Sequence, residues 1–167
     1  MSQIERHTIA VLVDNEAGIL ARVVGLFSGR GYNIDSLTVS EMEHEKHLSR
    51  FTIVTTGTSM VLAQIKSQLE RLVNVHRVVD LTVAGEPLER ELALIKVTGK
   101  GEKRIEALRL AEIFRASVID ASTEHFVFEI TGRSSKIEQF ISIMMELGLA
   151  EVSRTGIAAI ARGAKGM

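Results

Sequence analysis

The turn formed by Asn15, Glu16, Ala17 and Gly18 has the residue types of a small-molecule binding site. Apolar residues at helical spacing follow it, so unpaired backbone N–H groups and the positive end of a helix dipole are expected here. These groups favour a bound carboxylate, and Gly18 would let it approach the backbone closely. The Asn15 amide can donate and accept, which matches an α-amino acid. The alternative, which these residues alone favour, is an N-cap at Asn15 and a turn glycine at Gly18.

A second polar position is Asn33, which follows Gly29-Arg30-Gly31-Tyr32 at the entry to a predicted strand. A loop framed by glycines can hold such an amide beside the helix of a neighbouring subunit. Taken alone, Asn33 is also an ordinary loop asparagine.

A pair of histidines, His44 and His47, lies at a predicted hairpin tip with Glu43 and Glu45. This spacing could in principle bind a divalent metal. Histidines at a flexible tip are more often solvated, and no closed set of ligands is evident. We therefore predict no metal site.

The remaining motifs do not indicate catalysis. Residues 131–136 resemble a phosphate-binding loop but lack its spacing, and a strand-to-helix turn capped by Ser134 or Ser135 explains them better. No GxSxG, HExxH or dinucleotide-binding glycine motif is present, nor an acid, base and nucleophile that one fold would bring together. We predict a protein that is not itself an enzyme.

Hydrophobic periodicity in the first half predicts the elements that position these loops. The predicted order is a strand at 8–13, a helix at 19–28, strands at 34–42 and 48–56, a helix capped by Thr58 or Ser59, and a strand at 75–83. With right-handed crossovers, this βαββαβ order gives a four-stranded antiparallel sheet covered on one face by two helices.

The second half repeats this order after a polar break around the only proline, Pro87. Its predicted elements are a strand at 91–98, a helix at 103–115, strands at 117–122 and 125–131, a helix at 135–147, and a strand within 150–162. We expect an α+β protein of two tandem ferredoxin-like modules: an amino-acid-sensing domain at 1–84, a linker at 85–90 and a C-terminal domain at 91–167.

Composition restricts the partners and the compartment. The 167 residues are 46% hydrophobic and 25% charged with a net charge of −1, so no nucleic acid or anionic membrane partner is expected. The absence of cysteine indicates a reducing compartment. Neither a signal peptide nor an apolar run of roughly 18 residues is present, which predicts a soluble cytoplasmic protein.

Several segments together carry a resemblance to a known family. Residues 6–27 and 30–39 closely resemble the small subunit of acetolactate synthase, also called acetohydroxyacid synthase. The same resemblance extends, in the same order and spacing, to Leu48-Ser49-Arg50-Phe51-Thr52-Ile53, Arg90-Glu91-Leu92, Ile113-Phe114-Arg115 and Arg154-Thr155-Gly156. Nearly the whole chain is covered.

The resemblance implies a regulatory subunit whose first module is an ACT domain. Valine would bind where two such domains meet, with Asn15, Gly18, Ile19 and Leu20 of one chain facing Asn33 and Ile34 of the other. The chain would form a homodimer, activate an acetolactate synthase catalytic subunit and confer feedback inhibition by valine in branched-chain amino acid biosynthesis. Thiamine diphosphate, FAD and Mg²⁺ would belong to that partner, and this chain would hold no cofactor.

Two other classes of function remain as alternatives. A stand-alone amino-acid-sensing ACT protein could control a different enzyme, a transporter or a transcription factor, but the sequence has no basic DNA-binding element or membrane segment. A small enzyme of ferredoxin-like fold would need a convergent cluster of titratable groups. The apolar residues Ile19, Leu20 and Ile34 would accept valine, leucine or isoleucine with differences of only about 1–3 kcal/mol.

Overall fold

Two βαββαβ modules follow one another in the computed structural model, which describes residues 2–43 and 47–167. The first contains β1 (Ile4–Asp14), α1 (Ile19–Gly29), β2 (Ser36–Glu43), β3 (Leu48–Thr58), α2 (Ser59–Glu70) and β4 (Val75–Asp80). The second contains β5 (Leu88–Thr98), α3 (Glu102–Ile113), β6 (Ser117–Ala121), β7 (His125–Gly132), α4 (Ser134–Leu147) and β8 (Leu149–Ile160). The predicted tandem ferredoxin-like fold is confirmed.

The first sheet has the strand order β2-β3-β1-β4. β3 pairs antiparallel with β1 and β2, and β4 pairs antiparallel with the other edge of β1. Because side chains alternate along a strand, Ile9 and Val11 face the helices, where both are fully buried. Val23 and Phe27 of α1 are buried in the same core. The apolar periodicity read from the sequence therefore marks the helix-covered face.

The second sheet repeats this arrangement in the order β6-β7-β5-β8. Ile95 of β5 and Phe128 of β7 are fully buried beneath α4. Phe140 of α4 lies edge-on to Phe128, with ring centroids 5.9 Å apart. Aromatic pairs in this arrangement add about 0.5–1.5 kcal/mol to the stabilisation from burial.

The N-cap predicted for α2 is confirmed, whereas the one predicted for α4 is not. The Thr58 hydroxyl accepts a hydrogen bond from the Val61 N–H at 3.3 Å and caps α2, which confirms one of the two predicted caps. The predicted cap of α4 at Ser134 or Ser135 is wrong, because Arg133 occupies the N-cap position. Ser134 instead donates to the Glu91 carboxylate at 2.9 Å.

The packing divides the chain into two units, residues 1–88 with 157–167 and residues 89–156. Residues 157–167, which we call the C-terminal strap, thus pack with the first unit. The expected domains at 1–84 and 91–167 and the linker at 85–90 stay a prediction. The metal motif at the hairpin tip centres on residues 44–46, which lie outside the described residues.

Gly148 has almost no room for a side chain, and its replacement tests the packing of the second unit. Its φ of +111° is in the left-handed region, and a Cβ atom would lie 2.0 Å from the Thr98 carbonyl oxygen. We expect Gly148→Ala to lower the free energy of unfolding by about 2–5 kcal/mol in chemical denaturation. Gly25→Ala, in the middle of α1 with open space around its Cβ position, should instead stabilise by about 0.5–1 kcal/mol. Equal effects of the two changes would contradict this interpretation.

Candidate functional site

The turn before α1 is held in a conformation that favours glycine. Gly18 is the N-cap residue, with φ +90° and ψ −10°, and its carbonyl accepts from the Arg22 N–H at 3.0 Å. Within the described residues no side chain caps this helix, and its first turn contains no acidic residue. The interpretation of Asn15 as the N-cap is therefore wrong. The helix dipole and first-turn N–H groups remain available to an anion.

Asn15 lies on the surface at the start of this turn. Its backbone N–H donates to the His47 carbonyl at 2.5 Å, which ties the turn to the start of β3. Among the described residues, its side-chain amide has no hydrogen-bond partner. An exposed amide beside a helix N-terminus can bind both charged groups of an α-amino acid.

Two side-chain contacts anchor the turn to β4 and to the residue just before it. His76 Nε2 and Asp14 Oδ1 lie 2.6 Å apart, and Asn74 donates to Glu16 at 2.9 Å. Both carboxylates are thus engaged with neighbouring side chains, which fixes the backbone that leads into Gly18. A rigid backbone reduces the entropy lost when a ligand binds.

The two apolar residues that follow Gly18 have different surroundings. Ile19 is only 5% exposed and belongs to the core of the first unit. Leu20 is 45% exposed. Leu20 is therefore available to a ligand or a second subunit, whereas the Ile19 side chain supports the turn from within.

Asn33 and Ile34 lie in the loop before β2; the strand was predicted to begin at Ile34 but begins at Ser36. Asn33 is exposed and its amide donates to Asp35 at 2.5 Å, while its carbonyl accepts from the Thr55 hydroxyl at 2.6 Å. The Thr56 hydroxyl donates to the other Asp35 oxygen at 2.6 Å. Ile34 is half-buried against the first core. The loop is therefore fixed to β3, with one face of the Asn33 amide open to solvent.

Within one chain the two groups of residues are not brought together. Gly18 precedes α1 and Asn33 follows it, and an 11-residue helix is about 16 Å long. A single amino acid cannot span this distance. One chain therefore places the predicted effector residues in two groups, at opposite ends of the same helix.

Comparison with known proteins identifies the family. A model described as AHAS small subunit-like ACT domain matches residues 9–77, and one described as small subunit of acetolactate synthase matches residues 90–163. A probable acetolactate synthase small subunit of Archaeoglobus fulgidus is 46% identical over 160 residues, covering 96% of this chain and 99% of that protein. The chain belongs to the acetolactate synthase small-subunit family.

The likeness to the small-subunit family extends over both units. The isozyme 3 small subunit of Escherichia coli is 42% identical over 161 residues, covering 96% of this chain and 98% of that protein. The crystal structure of the Thermotoga maritima small subunit has a TM-score of 0.86 at 40% identity and covers 96% of this chain and 99% of that one. The ACT fold of the first unit is thus accompanied by the second module found in small subunits.

The second unit contains a buried ion pair, Glu91 with Arg154, that the sequence alone did not predict. Glu91 of β5, whose side chain is only 4% exposed, receives hydrogen bonds from Arg154 of β8 and Ser134 of α4. The Arg154 hydrogen bond and the Ser134 bond outweigh burial and lower the pKa of Glu91. Two of the segments that resemble the small-subunit family therefore meet here, and their spacing of 63 residues hid the contact.

A second polar cluster lies beside a cavity of about 620 Å³ in the first unit. His7 contacts Asp80 at 2.6 Å and Glu5 at 3.0 Å. Burial alone would lower the pKa of His7, but the hydrogen bonds and charges of Asp80 and Glu5 together raise it. Asp80 also accepts the backbone N–H groups of Thr82 and Val83. These polar atoms are already satisfied, so the cluster has a structural role in holding β1 to β4.

The described part of the chain shows neither a metal-binding cluster nor a membrane-spanning helix. Residues 2–43 and 47–167 contain no group of three or more His, Asp or Glu residues placed to hold a metal ion. None of the described helices combines the length and hydropathy needed to cross a membrane.

The Glu91–Arg154 pair gives a stability prediction with a defined pH dependence. Arg154→Met leaves a buried carboxylate without its main partner, so the free energy of unfolding at pH 7 should fall by about 1.5–3 kcal/mol. Because the folded pKa of Glu91 is lowered, its contribution is present above the unfolded pKa of about 4.3 and is lost as pH falls through the folded pKa. Denaturation at pH 7 and pH 3 should therefore show a smaller deficit at pH 3.

Lys96→Met is the matched control, because Lys96 and Glu151 join the same two strands at 3.2 Å but are 44% and 68% exposed. An exposed pair contributes about 0–1 kcal/mol. If Arg154→Met costs no more than Lys96→Met, or costs the same at both pH values, the assigned role of the buried pair is wrong.

Proposed function

We propose that this chain is the non-catalytic regulatory subunit of an acetolactate synthase, which activates the catalytic subunit and makes it sensitive to valine. The observation that carries the proposal is the identity of 40–46% with small subunits over nearly the full length of the chain. Thiamine diphosphate, FAD and Mg²⁺ are assigned to the catalytic partner. The reaction regulated is the condensation of two pyruvates, or of pyruvate with 2-oxobutyrate.

The geometry of the turn before α1 supports an amino acid as the effector. The open helix N-terminus behind Gly18 has the polarity to bind a carboxylate, and the Asn15 amide stands beside it. Asn33 and Ile34 of a second chain would supply an amide and an apolar contact.

A symmetric dimer would convert the two groups of predicted effector residues, which we call half-sites, into two complete sites. In a two-fold interface residue i of one subunit meets residue j of the other, and j meets i. Gly18 of one copy can then face Asn33 of its partner at both ends of the interface. Exposed apolar residues on β2 and α1 favour this surface: Val39 is 45% exposed, Met42 44% and Leu20 45%.

The proposed effector site is tested by a pair of variants, Gly18→Asn and Gly18→Asp, that differ only in charge. Both side chains tolerate the left-handed region and meet no atom within 4 Å of the Cβ position, so the backbone strain is matched. The carboxylate introduced by Gly18→Asp interacts favourably with the helix N-terminus by about 0.3–1 kcal/mol but repels a ligand carboxylate. Gly18→Asp should thus be the more stable variant and the weaker valine binder, by roughly tenfold or more.

The measurement is inhibition of a separately purified catalytic subunit reconstituted with each variant. We expect both variants to activate the catalytic subunit, and Gly18→Asp to need more valine for inhibition than Gly18→Asn. Calorimetry on the isolated chain should give the same order of valine affinity. Equal valine responses of the two variants would remove the ligand carboxylate from this helix terminus. A wild-type chain that does not stimulate the catalytic subunit would refute the regulatory function.

The dimer is tested by placing a charge on the exposed edge of the first sheet. Val39→Lys puts an ammonium group on edge strand β2, which disfavours pairing with another subunit. We expect light scattering at micromolar concentration to detect monomers and valine inhibition to be lost. Val73→Lys, at a position 92% exposed in the turn before β4, should remain dimeric. A wild-type monomer in the presence of valine would contradict the shared site.

A further inference from the structure

The C-terminal strap, residues 157–167, covers the face of the first sheet opposite the helices. Ala10 and Val54 point to this face because their neighbours Ile9 and Ile53 point into the helix-covered core. Ile157 and Ala159 of the strap are each 5% exposed and pack against them. The strap therefore forms a second, smaller core on the back of the ACT sheet.

Two side chains of β2 form hydrogen bonds with the backbone of one strap residue, Ile157. The Ile157 N–H donates to the Ser36 hydroxyl at 2.9 Å, and the Ile157 carbonyl accepts from the Thr38 hydroxyl at 2.9 Å. Arg50 of β3 donates to the Ala159 carbonyl at 2.6 Å. Both polar groups of the Ile157 backbone are thus satisfied by β2, so a displacement of β2 must break or move these bonds.

The same strand begins at the proposed effector site. Ser36 is the first residue of β2 and follows Asn33 by three positions, a distance of about 10 Å along an extended chain. The intervening Asp35 is held by its backbone N–H to the Val54 carbonyl at 2.8 Å. A ligand that engages the Asn33 amide competes with Asp35 for it and acts directly on the start of β2.

The strap is also continuous with the sheet of the second unit. β8 runs from Leu149 to Ile160, and in its earlier part the Thr155 hydroxyl bonds both backbone groups of Leu92 on β5, at 3.1 and 3.2 Å. Gly156, with φ +87°, is the last residue of the second unit before the strap begins. A φ in this region favours glycine.

From these contacts we infer that Ser36 and Thr38 couple effector binding to docking of the C-terminal strap. The inference rests on the proposed function, because it takes valine at Asn33 as the input. Ser36 and Thr38 are positioning residues: they hold the strap and do not touch the ligand. Docking of the strap fixes the start of β2 in the arrangement that binds valine.

Linkage makes the coupling reciprocal. If strap docking increases the affinity for valine by a given factor, valine must stabilise the docked strap by the same factor. The amide of Ile157 reports this directly, since its hydrogen bond to Ser36 exists only when the strap is docked. Saturating valine should therefore slow exchange of this amide in the wild-type chain.

The test uses Thr38→Val, which keeps the shape of the side chain and removes its hydroxyl donor. Reconstituted with the catalytic subunit, this variant should still activate it, but half-maximal inhibition should need at least about fivefold more valine, the lower end of typical coupling. Ser36→Ala removes the other bond and should act in the same direction. Ser40→Ala, at an exposed position further along the same strand, is the matched control and should behave as wild type.

Hydrogen exchange separates this coupling from a general loss of stability. In wild type, valine should increase protection of the Ile157 amide from exchange. The factor of this increase should equal the factor by which Thr38→Val weakens valine binding. In Thr38→Val the increase in protection should be lost. A valine response of Thr38→Val and Ser36→Ala within about twofold of wild type, below the usual range of coupling, overturns the coupling alone. A wild-type chain that neither binds valine nor confers inhibition overturns the proposed function and the coupling together. If Thr38→Val does not fold, Ser36→Ala decides between these outcomes.

Discussion

Burial of the first sheet on both faces is the constraint on which the rest of the first unit depends. Helices cover Ile9 and Ile53, but the alternate residues Ala10 and Val54 are also shielded from water. A sheet with only one covered face would expose this second apolar surface. The strap removes it from water, and the polar rim of Ser36 and Thr38 fixes the register in which it does so.

The length of α1 imposes a second constraint, which acts on assembly. A helix of about 16 Å separates Gly18 from Asn33, so one chain does not bring the proposed effector residues together. Under the proposed function, binding of a small effector would require a second copy, and the effector would contribute to holding the copies together. Under that proposal, regulation and oligomerisation would both follow from the length of α1.

Local pattern and tertiary contact differ in how well the sequence predicts them. Helical and alternating periodicities located both modules, and the family resemblance pointed to the half-sites around Gly18 and Asn33, whose role as a valine site stays a prediction. The pattern did not reveal that the Ser134 hydroxyl donates to Glu91 and does not cap α4, because a serine before an apolar run fits either role. The pattern also could not place the strap. Alternation predicts a strand there, but the surface on which the strap packs is decided by contacts with Thr38 and Ser36, which are 119 and 121 positions away in the sequence.

The polar links of the strap to the first sheet are few and individually weak. Its described polar links to β2 and β3 are three side-chain-to-backbone hydrogen bonds, each contributing about 0.5–1.5 kcal/mol, in place of a continuous ladder between strands. Their sum is of the same order as the roughly 1–3 kcal/mol typical of coupling between sites. A much stronger contact could not be shifted by a small ligand, since a ligand moves an equilibrium only by its difference in affinity for the two states. On the inferred coupling, the hydroxyl groups of Ser36 and Thr38 would supply the part of this contact that an amino acid controls.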